Sequence, residues 1–415
     1  WVFELVDGII GDNYPVPDRM LIKIEQVVKD YLIKEMGGDV KTSTHDLFAV
    51  EGGTAAMCCI FDSLKANYLL KPKDKIALFV PIFTPYVEIA NLPSNEFEIV
   101  MIHASEVNED GIPTWQYPKE ELDKLKDTSI KLACVVNPSN PPAVAMSEAS
   151  MAYLNEIVTT YHPNLMIITD DVYCTFVNNF KSVISDLPYN TIGVYSLSKY
   201  FGVTGWRLGT IFLNEKNIFN DLIKKLSPAM KNELNERYKH LCQNPAELSF
   251  MDRLVADSRQ VALNHTAGLS TPQQVQMAFF SAFTLIDKEN NYKDKTINIC
   301  KTRKKLLFDS LDIGINENEN DASYYTQIDL LRLCKKRYGE EFVEYLKANY
   351  KPVDILFDLA QKSSIVLLGG GGFAGPEWSI RISLANLYDE AYSEIGVVLK
   401  RILDSYADDW KKLQG

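Results

Sequence analysis

At 415 residues with 46% hydrophobic content, the chain can bury a large core and form two or more domains, so a disordered or fibrous protein is excluded. Its 43 Lys and Arg stand against 55 Asp and Glu, a net charge of −12, which leaves no broad basic field for a phosphodiester backbone and excludes nucleic acid as a partner. No uncharged stretch approaches the roughly 18 residues that a membrane-spanning helix needs, and the N-terminal WVFELVDGII lacks a cationic leader pattern, so no membrane partner is expected. The chain opens on Trp1 rather than methionine, which leaves room for residues upstream. Cysteines at 58, 59, 134, 174, 242, 300 and 334 form no CxxC pair, and most lie in apolar runs such as AAMCCIF and KLACVV. That usage fits reduced core thiols in a cytoplasmic protein rather than disulfides, and the five histidines show no metal-ligand spacing, so no metal site is expected.

In chain order, residues 1–40 are expected to join a smaller C-terminal domain, 296–415, with 41–295 as a large domain. From about 45 to 215, apolar runs alternate with helical patterns: KIALFV (75–80), KLACVV (131–136), LMIIT (165–169), IGVYSL (192–197) and GTIFL (209–213). Continuous runs of this kind are strands buried on both faces of a parallel sheet, which predicts an α/β domain. Ligands of such sheets bind at the carboxyl ends of the strands, where VPIFTPY, VNPSNPP, TDDVY and SLSK all fall. The later region is richer in helix, in KTRKKLLFDSLD, GEEFVEYLKANY and the amphipathic stretch from Ala385 to Leu413; the acidic GINENENDAS (314–323) reads as an exposed loop. The GGGG run at 369–372 is no dinucleotide fingerprint, because no GxGxxG opens a helix.

The segment YSLSKYFGVTGWRLG (195–209) carries the chemistry. A lysine at the end of a buried strand can lose its proton and form a Schiff base, which makes Lys199 a candidate nucleophile. Gly202 and Gly205 permit tight turns, and Arg207 can return to the same pocket as a fixed cation for a phosphate.

The pattern S-x-S-K-x-x-G-x-x-G-x-R-x-G resembles the pyridoxal-phosphate lysine motif of fold-type I aminotransferases, and further matches follow in the family's order. The resemblance implies an α/β fold with a large domain around a mainly parallel seven-stranded sheet, a smaller α/β domain, and pyridoxal 5′-phosphate as cofactor. EGGTAAM (51–57) resembles the phosphate-cradling turn, with Gly53 and Thr54 opening a helix whose free amides favour an anion. VPIFTPY puts Phe83 on the face of the pyridine ring. In VVNPSNPP, Asn140 would bond the phenolic oxygen and help bind substrate. TDDVY gives Asp170 to the pyridinium nitrogen and Tyr173 to the phenolic oxygen; Asp171 competes, but its spacing to Tyr173 favours Asp170. Ser196 and Arg207 would hold the phosphate on either side of Lys199, and WSIRISLAN gives Arg381 to the substrate α-carboxylate.

Where the common pattern reads NPxNPTG, this chain has NPSNPPAV, with Pro142 and Ala143 in place of the small polar residue and glycine. With VDGIIGDNYPVPDRML, NHTAGLSTPQQVQMAFFSAF and GGGGFAGPEWSIRISLANL, that departure resembles the bifunctional aspartate 4-decarboxylase/aspartate aminotransferase group over nearly the whole chain. The resemblance implies conversion of L-aspartate to L-alanine and CO2 with side aminotransferase activity; the alternative is an aminotransferase without decarboxylase activity. It also implies a homodimer or an assembly of dimers, with Tyr14 and Ser270 as phosphate contacts from a neighbouring subunit; among the five histidines, only His265 in NHTAG falls near an expected site loop. Arg19, Arg253 and several lysines are left as unseparated candidates for the β-carboxylate. A cofactor-sensing regulator is disfavoured by the acidic charge and the lack of a basic helix-turn-helix segment.

Overall fold

A computed structural model of the protein describes residues 2–39, 43–261, 263, 268–315 and 318–414. Seven strands form the main sheet: β1 (His45–Val50), β2 (Lys75–Val80), β3 (Glu98–His103), β4 (Ile130–Val136), β5 (Met166–Asp170), β6 (Thr191–Ser196) and β7 (Gly209–Asn214), in the order β1-β7-β6-β5-β4-β2-β3. All run parallel except β7, which is antiparallel to both neighbours. The reason for the continuous apolar runs is visible in β2. Ile76, Leu78 and Val80 enter one buried cluster, while Ala77 and Phe79 enter another on the opposite face, since successive side chains of a strand alternate.

The five apolar runs coincide with β2, β4, β5, β6 and β7 to within a residue or two. The two outer strands were not among them. β3 exposes or half-exposes five of its six residues, and β1 begins with His45 and Asp46, so neither reads as a doubly buried run.

A second sheet of three antiparallel strands, β8 (Tyr325–Asp329), β9 (Leu368–Gly369) and β10 (Ser379–Ser383), lies in the order β8-β10-β9. Its Ile328, Ile380 and Ile382 share a core with Tyr392, Leu399 and Leu403 of the long C-terminal helix Asp389–Gln414. The helix Asn291–Ser310 serves both bodies, burying Cys300 in the large core and Leu307 in the small one, so the transition lies inside a helix.

The N-terminal segment differs from expectation. Helices α1 (Val2–Ile10) and α2 (Ile22–Glu35) lie against helix Thr271–Ile286, and Leu5, Ile24, Val28 and Tyr31 are buried in the large core, not the small one. Tyr31 explains the anchoring: its hydroxyl meets that of Tyr195 on β6 at 2.6 Å, beneath the main sheet. Within the acidic segment 314–323, Gly314, Ile315 and Glu319 are exposed, whereas its end is not. Asp321 pairs with Val144 as an isolated bridge, Asp321 forms an ion pair with Lys304, and Ala322 and Ser323 are buried.

Candidate active site

Close backbone approach builds one end of the site. Gly209 on β7 pairs with both Val50 of β1 and Ser196 of β6, so three segments end side by side. A Cβ on Gly209 would lie 2.5 Å from the Cα of Gly52, and one on Gly52 would collide with the Arg207 guanidinium. Gly52 also has φ +88°, a conformation suited to glycine, and it caps helix α3 (Gly53–Ala66). The first intrahelical bond runs from the Ala56 amide to the Gly52 carbonyl, leaving the amides of Gly53, Thr54 and Ala55 outside the helix ladder. Arg207, itself at φ +58°, donates to the carbonyls of Glu51 (3.1 Å) and Thr204 (2.9 Å), which holds its cation at that helix end. The Ser196 hydroxyl lies 3.0 Å from the Leu208 carbonyl and 2.8 Å from the Ser198 hydroxyl, and both serines are buried.

The next strand ends hold two adjacent carboxylates in different settings. Asp170 is buried and accepts from the Val172 amide (3.3 Å) and the Tyr86 hydroxyl (3.2 Å). Burial pushes its carboxyl up to about 6, against the opposing pull of those two donors and of the Lys199 ammonium. Asp171, fully buried, accepts from Thr169 (2.7 Å) and from Ser182, and burial pushes it up to about 7. Asp171 is therefore committed to partners within the fold, while Asp170 senses Lys199. Lys199 itself is half-buried in the turn just beyond β6. Phe83 caps helix α4 (Thr84–Asn91), packed at the edge of the large core. Its turn is tied to the glycine run by Ile82 N–H to Phe373 O (2.9 Å) and Thr84 Oγ1 to Gly372 O (2.7 Å), so GGGGF serves as a cover over the loop after β2.

The third part joins the two sheets. Arg381 on β10 donates to Asn140 Oδ1 (3.1 Å), Asn140 Nδ2 donates to the Tyr173 hydroxyl (3.4 Å), and Tyr173 donates to the Tyr325 hydroxyl (3.3 Å). The Arg381 guanidinium lies between the rings of Tyr325 (4.4 Å) and Phe373 (4.8 Å), a placement that favours a fixed cation. The structure thus brings Asn140, Tyr173 and Arg381 into one network, Asp170 and Lys199 into electrostatic contact, and Gly53, Thr54, Ser196 and Arg207 to one helix end.

Other expectations fare differently. Arg253 is 2% exposed and donates to the carbonyls of Pro245 and Leu248, and Arg19 pairs with Glu25 and Asp46, so neither belongs to the Arg381 cluster. Tyr14 is exposed, and Ser270 caps helix Thr271–Ile286 by accepting from the Gln273 amide. His265 lies outside the described residues. Tyr86, Gly52, Ser198, Tyr325 and Phe373 were not singled out. Tyr86 stands three residues after Phe83, in the first turn of α4; Tyr325 reaches the site only through tertiary pairing.

The family model of aminotransferase class I and II matches residues 32–396. Over 414 residues the chain is 47% identical to a bifunctional aspartate aminotransferase and L-aspartate beta-decarboxylase of Pseudomonas sp., covering 100% of this chain and 77% of that protein. An aspartate aminotransferase of Sulfurisphaera tokodaii is 26% identical, covering 77% of this chain and 67% of its own. Among solved structures, an aromatic aminotransferase from Pyrococcus horikoshii superposes with a TM-score of 0.67 at 18% identity, over 97% of this chain and 90% of that one. Aspartate aminotransferase from Thermus thermophilus gives 0.66 at 16% identity, over 98% and 87%. This family and fold depend on pyridoxal 5′-phosphate, and the donor set fits that group: a helix end kept open by a missing Cβ at Gly52, with Arg207 across it, and a buried carboxylate at Asp170 held by Tyr86 and the Val172 amide. With its fold and its sequence in agreement, the chain belongs to the class I and II aminotransferases.

Proposed function

We propose that the protein removes the β-carboxylate of L-aspartate to give L-alanine and CO2, with aspartate transamination as a side activity. The observation that carries this reading is the 47% identity over the full chain to the Pseudomonas bifunctional protein. Aminotransferase activity without decarboxylation is the second reading, favoured by more distant relatives such as the Sulfurisphaera tokodaii aspartate aminotransferase. We assign a cytoplasmic homodimer, or an assembly of dimers, as the working form.

In this reading the Lys199 Nζ would hold the cofactor and, as a free amine, would remove and return the Cα proton of the substrate. Arg207 and the amides of Gly53 and Thr54 hold the phosphate, with Ser196 and Ser198 lining its edge. Phe83 flanks the ring. Bound pyridoxal phosphate supplies an electron sink for the pair freed beside the amino group. Asp170 keeps the ring nitrogen protonated, a role suited to a buried carboxylate whose own donors, Tyr86 and the Val172 amide, orient it. Asn140 and Tyr173 hold the phenolic oxygen. Arg381 pairs with the α-carboxylate, which leaves the β-carboxylate free to depart as CO2 while Cβ takes up a proton.

Product analysis tests this reading. With L-aspartate and added pyridoxal phosphate, alanine and CO2 are the main products, activity decays slowly, and a keto acid such as pyruvate restores it. Oxaloacetate in strict proportion to the amino acceptor consumed, with no CO2 beyond its spontaneous breakdown, would replace the decarboxylase with an aminotransferase.

A further inference from the structure

The departure at Pro142 and Ala143 has a structural partner in the segment that leads into β8. Ala143 is fully buried and holds φ +60°, a left-handed conformation that glycine adopts more easily than alanine. That turn aims the Ala143 carbonyl at the Ala322 amide (2.8 Å), while the Ala145 amide donates to the Asn320 carbonyl (2.7 Å) and Val144 pairs with Asp321. Asp321 in turn accepts from the Ser323 amide (2.7 Å) and forms an ion pair with Lys304, both side chains largely buried. The result is a clasp between the loop after β4 and the segment that leads into β8.

Both ends of the Arg381–Asn140 contact run back to this clasp within a few residues. Asn140 lies three residues before Ala143. On the other side, Tyr325 lies four residues after Asp321, supports the Arg381 guanidinium with its ring, and starts the strand β8 on which β10 is registered, Ser383 opposite Tyr325 and Arg381 opposite Gln327. The Leu384 amide also bonds the Tyr324 carbonyl (2.9 Å). Each partner of the clamp is thus referenced to the same short span of chain.

The geometry points to Lys304 and Asp321 as positioning residues for α-carboxylate binding: their buried ion pair fixes the distance between Asn140 and Arg381, and through it the affinity for the substrate. This rests on the assignment of Arg381 to the α-carboxylate. Neither residue touches the Lys199–Asp170 pair, so the lysine attachment and the carboxylate assigned to the ring nitrogen stay intact without them.

The test uses the holoenzyme of Asp321→Asn, Lys304→Met and Lys304→Arg, with succinate as a non-reacting dicarboxylate whose binding is read from the cofactor absorbance. In Asp321→Asn and Lys304→Met the succinate Kd and the KM for aspartate rise together by roughly tenfold, the equivalent of one hydrogen-bonded contact, while kcat and cofactor affinity stay near the parent values. Lys304→Arg restores both. The succinate measurement needs no turnover, so a chain that proves to be only an aminotransferase leaves the proposal standing. Unchanged succinate affinity in Asp321→Asn and Lys304→Met would overturn it, and so would parallel losses in kcat and cofactor binding that Lys304→Arg fails to restore.

Discussion

Around Asp170, every partner comes from the large body: Tyr86 from helix α4, Val172 from its own loop and Lys199 from the turn after β6. Around Arg381, the partners come from three separate segments, with Asn140 lying 241 residues away and Tyr325 and Phe373 arriving from the small body. In the proposed reading, the residues assigned to the ring nitrogen and the lysine lie within one body, whereas those assigned to the substrate are shared between two. A site divided this way can adjust what it binds without disturbing how it handles electrons.

Substitutions on the two sides should separate accordingly. Lys199→Ala removes the covalent attachment and the proton carrier together, and turnover falls about 10⁴-fold or more in a steady-state assay. Asp170→Ala lowers kcat by about 10³-fold while succinate binding changes little, because the loss is in electrostatic stabilisation within a closed site; a matching loss of succinate affinity would break the division. Arg381→Lys gives the complementary pattern, a drop of roughly 10²-fold in kcat/KM carried mainly by KM, since a lysine cannot offer the forked donor. The cofactor absorbance spectrum of that variant stays that of the parent.

The smallest effect concerns stability. Asp171 has a carboxyl raised from its ordinary 3.8 to about 7, so between these pH values the folded chain holds a proton that the unfolded chain has released. Its contribution is present in full below about pH 4 and lost as pH rises towards 7. Denaturant titrations of the cofactor-free protein should show stability falling across that window by roughly 1 kcal/mol or more, with the fall reduced in Asp171→Asn, which removes this titration. The same decline in Asp171→Asn would assign the pH dependence to other groups.

The positions of the large-body motifs were legible in the sequence because they sit at the ends of continuous apolar strands, and the preference for Asp170 over Asp171 came from the spacing to Tyr173. What escaped was of two kinds. β3 is an outer strand exposed or half-exposed at five of its six residues, and β1 opens on the half-buried His45 and Asp46, which leaves a buried run of only four residues. Tyr325, Phe373 and the Ala143 clasp depend on contacts between distant segments, which no local pattern records. The attachment of residues 1–40 to the large core has the same origin, for it rests on contacts with Tyr195 and helix Thr271–Ile286, far along the chain.

The claim on which all of this depends is that Lys199 carries the cofactor opposite Asp170. Borohydride reduction of the yellow holoenzyme followed by peptide mapping tests it directly. The account predicts loss of the visible band and a single pyridoxyl-modified peptide containing Lys199; a pyridoxyl group on any other lysine would contradict it.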